Sequence, residues 1–206
     1  RESRRYASRV ELRGRQWWSA VAAITLAGLG LRVWASSRES IFLDEVSLHW
    51  LTAGRGFGSM VDQVTKVENT PILGFSLSWL ASKLGSAPER VRLPSLVAGT
   101  ATIPAAAALA RRAVGHWTAL AAAAFVAASP FLNFFSVEAR PYALVCCFAT
   151  LAALALLRAS DHDSPRWAWA AWALLAGLAM LSHYTAIFAI GAQAAWALDF
   201  RRRARL

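Results

Sequence analysis

Cysteine is scarce in this sequence: among 206 residues there are two, Cys146 and Cys147, side by side within an apolar run. Neighbouring cysteines do not readily close a structural disulfide, and no Cys-x-x-Cys or Cys/His spacing marks a zinc site. A disulfide-stapled fold and a zinc module are therefore excluded, and the pair reads as small apolar packing residues. Acids are also few, 12 against 22 lysines and arginines, for a formal net charge of +10. Such an excess often signals nucleic acid. Here there is no basic stripe with interleaved stacking aromatics on a polar face, so no nucleic-acid partner is expected.

What is abundant is apolar. Hydrophobic residues make up 57% of the chain and the mean hydropathy is +0.39, which a soluble domain of this length rarely reaches. The apolar residues come in blocks of Ala, Leu, Val and Trp, and arginines flank the blocks: Arg1 to Arg15 before the first, Arg111-Arg112 between two others, Arg158 and Arg166 around a short polar loop, and Arg201 to Arg205 after the last. This is the charge pattern of cytoplasmic flanks of membrane spans. The expected fold is all-α, a polytopic transmembrane helical bundle. Residues 1–16 form a basic cytoplasmic N-terminus and residues 17–206 a transmembrane module.

The blocks are Trp17–Ala35, Ile72–Leu84, Leu93–Ala110, Trp117–Phe135, Tyr142–Leu157, Trp167–Leu181 and Ala186–Leu198. The first does not read as a cleavable signal peptide, because it is long, carries Arg32 near its far end and lacks a small-x-small site. Ile72–Leu84 is too short for a comfortable span. If it dips and returns, Arg111-Arg112, the loop from Arg158 to Arg166 and the tail at Arg201 are all cytoplasmic. Three segments then lie outside: the loop 36–70, the turn Ser136–Tyr142, and Ser182-His183-Tyr184. In the loop, Asp44 to about Ala53 reads as a short interfacial helix, with Leu43, Val46, Leu48, Trp50 and Leu51 on its apolar side, ended by Gly54, Gly56 and Gly58.

Five carboxylates fall in that outer loop: Glu39, Asp44, Glu45, Asp62 and Glu68. Acids at a helix start interact well with its dipole, which accounts for one of Asp44 and Glu45. A second reading brings acids from the two loop ends together, Asp44 with Glu68, as oxygen ligands for a divalent cation, Mg or Mn. A third has one acid take a proton from an attacking hydroxyl. The turn Glu138-Ala139-Arg140-Pro141-Tyr142 offers a guanidinium suited to phosphate oxygens, or a snorkelling Arg paired with Glu138. His183-Tyr184 ends another span. In the dipping topology all these polar groups share one face.

Phe42-Leu43-Asp44-Glu45, Glu68-Asn69-Thr70-Pro71, Arg92-Leu93-Pro94-Ser95, Ser129-Pro130-Phe131 leading to Glu138-Ala139-Arg140-Pro141-Tyr142, and Ser182-His183-Tyr184-Thr185 occur in this order. The series resembles the membrane-embedded GT-C glycosyltransferases of the family 39-like, protein-mannosyltransferase-related and aminoarabinose-transferase-like type. The resemblance implies a sugar carried on a polyprenyl phosphate and used at the outer membrane face. It implies a catalytic role for Asp44, with Glu45 beside it, and a metal-ligand role for Glu68. Donor and phosphate binding would fall to Glu138, Arg140, Tyr142, His183 and Tyr184. Ile72, Leu73 and Gly74 depart from the second proline and aromatics of many relatives. Such enzymes are usually much longer, so the chain resembles their N-terminal half.

The function expected is transfer of a mannose-like or other sugar from a polyprenyl-phosphate donor to a hydroxyl acceptor, at the outer face of a bacterial inner membrane. The rival is a non-catalytic, truncated membrane module that binds lipid-linked sugar phosphate. A transporter fits less well, because the polar groups gather at the ends of spans and not midway along them.

Overall fold

The computed structural model describes residues 14–85, 87–161 and 163–203. Most of the basic N-terminal segment, including Arg1 to Arg13, and Arg205 in the tail lie outside the described residues. The described chain is all-helical. Its elements are α1 (Gly14–Ser36), α2 (Leu43–Thr52), α3 (Phe57–Val67), α4 (Leu73–Ser82), a 3-10 turn (Pro88–Arg92), α5 (Leu93–Ala113), α6 (His116–Ala128), α7 (Pro130–Val137), α8 (Tyr142–Ala159), α9 (Arg166–Ser182) and α10 (Ala186–Arg203).

Among the described residues three stretches are long and apolar enough to cross a membrane: α1, Glu89–Ala113 and α8. At 1.5 Å per residue α1 is about 35 Å long, enough for a hydrocarbon core of about 30 Å. The pair α6–α7 makes a fourth if counted as one span. α9, with 17 residues, and the apolar part of α10, Ala186–Asp199, are shorter.

Without a strong hydrophobic drive in lipid, spans associate through close packing of small residues. The core follows that rule. Ala107, Ala119, Ala123 and Ala127 pack around Trp17, Val21 and Ile103 where α1, α5 and α6 meet. Ala98 of α5 meets Ala143, Leu144 and Cys147 of α8. Gly28 lets α1 approach α5, since a Cβ there would stand 2.5 Å from the Ile103 side chain.

The block Trp117–Phe135 is not one straight helix. It bends by 55° between α6 and α7. Pro130 at the start of α7 has no N–H for the preceding turn and strands carbonyls at the end of α6. Arg32, fully buried in α1, donates to Val126 O at 3.1 Å and Ala127 O at 3.4 Å, and Asn133 Nδ2 donates to Ala127 O at 3.0 Å. A cation within the span is thereby held by the carbonyls the bend releases.

Between α1 and α5 the chain builds a cap. α2 matches the helix expected after Asp44. α3 was not foreseen, because the flanking glycines read as an interruption. It starts among them, at Phe57, and buries Met60 and Val64 against Leu51 of α2, with Ile72, Phe75 and Trp79 packed alongside. α4 has ten residues, about 15 Å, half a bilayer. It stays against cap segments: midway along it Ser78 Oγ donates to Val91 O at 3.4 Å, and just past its end Lys83 Nζ donates to Arg55 O at 3.0 Å. The chain is back at the capped end by Arg92, which bonds Ser36, Glu39 and Ser40 at the exit of α1. Arg111, Arg112 and Arg158 then gather with Trp17 and Trp18 at the opposite end.

Reporter fusions at Gly115 and Ser160 should therefore report one side of the membrane, and a fusion in the loop at Gly58 the other. A signal from Gly115 and Ser160 on different sides would contradict this arrangement.

Candidate functional site

The cap is fastened by one buried ion pair. Arg92 ends the 3-10 turn and Glu45 sits in the first turn of α2; the two are 3% and 2% exposed. Arg92 Nη2 lies 2.6 Å from Glu45 Oε2, and its Nε donates to Oε1 at 2.8 Å. The remaining guanidinium hydrogens go to carbonyls at the exit of α1: Ser36 at 3.0 Å, Glu39 at 3.1 Å and Ser40 at 2.8 Å. All five donors of the arginine are used. Glu45 also accepts from the backbone N–H of Phe42 at 3.2 Å and of Ala139 at 2.9 Å. Burial pushes the Glu45 carboxyl up, but the Arg92 hydrogen bonds and the Ala139 and Phe42 N–H groups outweigh it and hold the group below the usual carboxylate range.

The neighbours of these anchored residues line a cleft. Asp44 precedes Glu45, and Arg140 follows Ala139. Their side chains form an ion pair, Arg140 Nη2 with Asp44 Oδ2, both partly open to solvent. Ser95 Oγ donates to Arg140 O at 2.9 Å and fixes that turn to the start of α5.

Asp44 and Arg140 line an open cleft of about 650 Å³. Glu68, Thr70 and Pro71 form one wall, Ser78, Pro94 and Ser95 another, and Pro141, Tyr142 and His183 a third. The acids from the two loop ends thus meet one cavity. The Tyr142 ring stands between Phe135, at 4.9 Å, and His183, at 5.1 Å. The Thr185 backbone N–H donates to His183 Nδ1 at 3.2 Å, and the Thr185 hydroxyl lies 2.9 Å from the same nitrogen. Nδ1 is therefore the acceptor, and neutral His183 carries its proton on Nε2.

Three of the expected site residues stand elsewhere. Glu45, expected beside Asp44 as a catalytic acid, is buried away from the cleft with both oxygens committed. Glu138 is half-buried and does not line the cleft. Burial raises its pKa, Arg140 pulls it down, and the nearby Glu45 and Asp44 charges raise it further, so it holds its proton above the usual glutamate range. Tyr184 is 59% exposed and turned out of the cleft-lining set. Conversely, the sequence reading gave Arg92 no task. The available signal was a cation at the start of a span on the acid-rich face, where it needs an acidic partner.

For a divalent cation, Asp44 and Glu68 are the hard oxygen donors of the cleft. Among the described residues no three His, Cys, Asp or Glu side chains gather as a cage. Magnesium commonly takes one or two carboxylates and completes its shell with phosphate oxygens and water, so the donor set fits a cation shared with a phosphate-bearing ligand.

The sequence profile of the dolichyl-phosphate-mannose-protein mannosyltransferase family matches residues 69–206. The match begins beside Thr70-Pro71 and includes Arg92, Arg140, Tyr142 and His183; Asp44, Glu45 and Glu68 precede it. Comparison with curated proteins and with solved structures found no match.

Replacing Glu45 by Ala leaves a buried guanidinium without its counter-ion, a change that costs about 3–5 kcal/mol. Asp62→Ala, at the exposed Lys66 pair, should cost under about 1 kcal/mol. Denaturant unfolding in detergent compares the two; equal effects would contradict the fastening role. Because the Glu45 pKa is lowered by folding, its contribution is present above the unfolded glutamate value near 4.3 and is lost as pH falls through the lower folded value. Glu45→Ala should flatten that acid limb.

Proposed function

Because the chain belongs to the dolichyl-phosphate-mannose-protein mannosyltransferase family, we propose that it transfers a sugar from a polyprenyl-phosphate donor to a hydroxyl acceptor, in the cleft at the capped end of the bundle and on the side of the membrane away from the cytoplasm. The observation that supports this reading is the meeting of Asp44 with Arg140 in a cleft that Glu68, Tyr142 and His183 also line. A base for the acceptor and a cation for the departing phosphate are the two groups such a transfer needs.

In this reading the acceptor oxygen attacks the anomeric carbon from the face opposite the lipid phosphate. Its proton passes to the Asp44 carboxylate, the bond from that carbon to the phosphate oxygen breaks, and the electron pair leaves with the phosphate, which gains one negative charge. The configuration at the anomeric carbon inverts. Arg140 offsets the growing charge through its planar fork, and His183 Nε2–H donates to a phosphate oxygen. Such preorganised groups lower barriers by several kcal/mol in a water-poor site. A divalent cation on Asp44 and Glu68 would add charge neutralisation at the same phosphate. Glu45 and Arg92 serve as positioning residues, because they hold the two backbone segments from which Asp44 and Arg140 project.

Arg140 is engaged by Asp44, so donor phosphate competes with the base for the same guanidinium. Arrival of the phosphate frees Asp44 to receive the acceptor proton, which makes donor-first binding the expected order.

Asp44→Asn should cut transfer by about 10²-fold or more, the scale of a lost general base. The same variant should bind polyprenyl phosphate at least as tightly as the unaltered protein, while Arg140→Ala weakens that binding. Both follow from titration of the purified membrane protein with polyprenyl phosphate and a transfer assay with a polyprenyl-phosphate sugar. Retained transfer in Asp44→Asn would remove the base from the mechanism. Donor binding without turnover in the unaltered protein would favour the non-catalytic module.

A further inference from the structure

At the opposite end of the bundle a second cavity, about 720 Å³ and open to the outside, has no part in the proposed transfer. Three guanidiniums line it, from Arg111 and Arg112 at the end of α5 and Arg158 at the end of α8. Its walls are Trp17 and Trp18 of α1, Ala108 and Leu154. We propose that this cavity is a binding site for the headgroup of an anionic phospholipid in the leaflet away from the capped end.

Charge gives the first argument. Arg112 is paired with Asp161 and donates to Leu157 O at 3.3 Å, so its charge is answered within the chain. Arg111 instead lies over the Trp17 ring, 4.4 Å from its centroid, and among the described residues neither Arg111 nor Arg158 has a carboxylate at ion-pair distance. Two guanidiniums without a carboxylate partner among the described residues, beside one compensated neighbour, suit an anion. Their forked donors suit phosphate oxygens.

Shape and position give the second. Cations at helix C-termini are common, because they meet the negative end of the dipole, and they need no ligand. Here they edge a concavity whose remaining surface is apolar. Trp17 is fully buried and anchored by its Nε1–H to His116 O at 3.4 Å, so the wall is rigid; Trp18 is 52% exposed beside it. α1, α5 and α8, which supply the lining, each include a stretch long and apolar enough to cross a membrane. The cavity therefore sits where headgroups meet acyl chains, and a ligand with a phosphate above an apolar body fits both parts. A basic pocket between spans with indoles at the interface is the expected form of such a site.

This inference is independent of the transfer chemistry at the other end. The test uses the full chain in nanodiscs of mixed phosphatidylglycerol and phosphatidylcholine, with retained lipid read by native mass spectrometry. The protein should keep phosphatidylglycerol in excess over the mixture. Arg111→Ala and Arg158→Ala should each lower that excess about five-fold, the effect of one basic charge at an anionic surface. The double Arg→Lys variant should keep most of it, and Trp18→Ala should lower it with every charge intact. Arg55→Ala/Lys83→Ala, which removes two cations from the capped end, should leave it unchanged. Retention that simply mirrors the lipid mixture would overturn the proposal. So would an equal loss in Arg55→Ala/Lys83→Ala, or displacement of the bound lipid by millimolar inorganic phosphate, which would mark a free-anion site.

Discussion

The buried pair of Glu45 with Arg92 sets the geometry of the capped end. Taking two charges out of water is expensive, and the cost is tolerable only when every donor and acceptor finds a partner. Arg92 satisfies all five of its N–H groups, and the two oxygens of Glu45 accept four bonds. Those bonds draw together the exit of α1, the start of α2, the start of α5 and the turn before α8. Asp44 and Arg140 are each one residue from a bonded position, so they meet because the pair behind them is closed. The cleft exists as a by-product of that closure.

A second buried cation shows a different solution to the same problem. Among the described residues Arg32 has no carboxylate at ion-pair distance; its terminal nitrogens donate to Gly28 O of its own helix and to Val126 O and Ala127 O at the bend between α6 and α7, while its buried Nε has no hydrogen-bond partner. Pro130 creates the orphan acceptors, and an arginine from a neighbouring helix uses them. The bend redirects α7 so that its end delivers Glu138, Ala139 and Arg140 to the cap. Alanine- and glycine-lined contacts between α1, α5, α6 and α8 allow the backbones to come close enough for such side chain-to-carbonyl bonds. The two arginines thus divide the labour. One fixes the course of the span that leads to the site, and the other fixes the site.

Much of this was legible in the sequence. Long apolar blocks with arginine flanks placed the helices within a few residues; the shortness of Ile72–Leu84 left a return to one end open beside a slanted crossing, and the arginine flanks favoured the return. Of the polar groups expected to share one face, Asp44, Glu68, Arg140, Tyr142 and His183 line the cleft, while Glu45, Glu138 and Tyr184 do not. The rest depended on contacts between residues far apart in the chain. Glu45 and Asp44 are adjacent and chemically alike; which of them faces the cleft is decided by the position of Arg92, 47 residues away. Glycines around Phe57 hid α3, whose helical pattern of Met60 and Val64 makes sense only against Leu51 and Trp79. The bend at Pro130 lies inside an unbroken apolar run, and hydropathy alone does not register it.

The central claim is that the Glu45–Arg92 pair holds Asp44 and Arg140 face to face. The most direct measurement is thiol crosslinking of an Asp44→Cys/Arg140→Cys protein, with Cys146 and Cys147 replaced by Ala, using a short bifunctional reagent in membranes. The account predicts efficient crosslinking that falls sharply when Glu45→Ala is added. Crosslinking that never forms, or that is indifferent to Glu45→Ala, would contradict it.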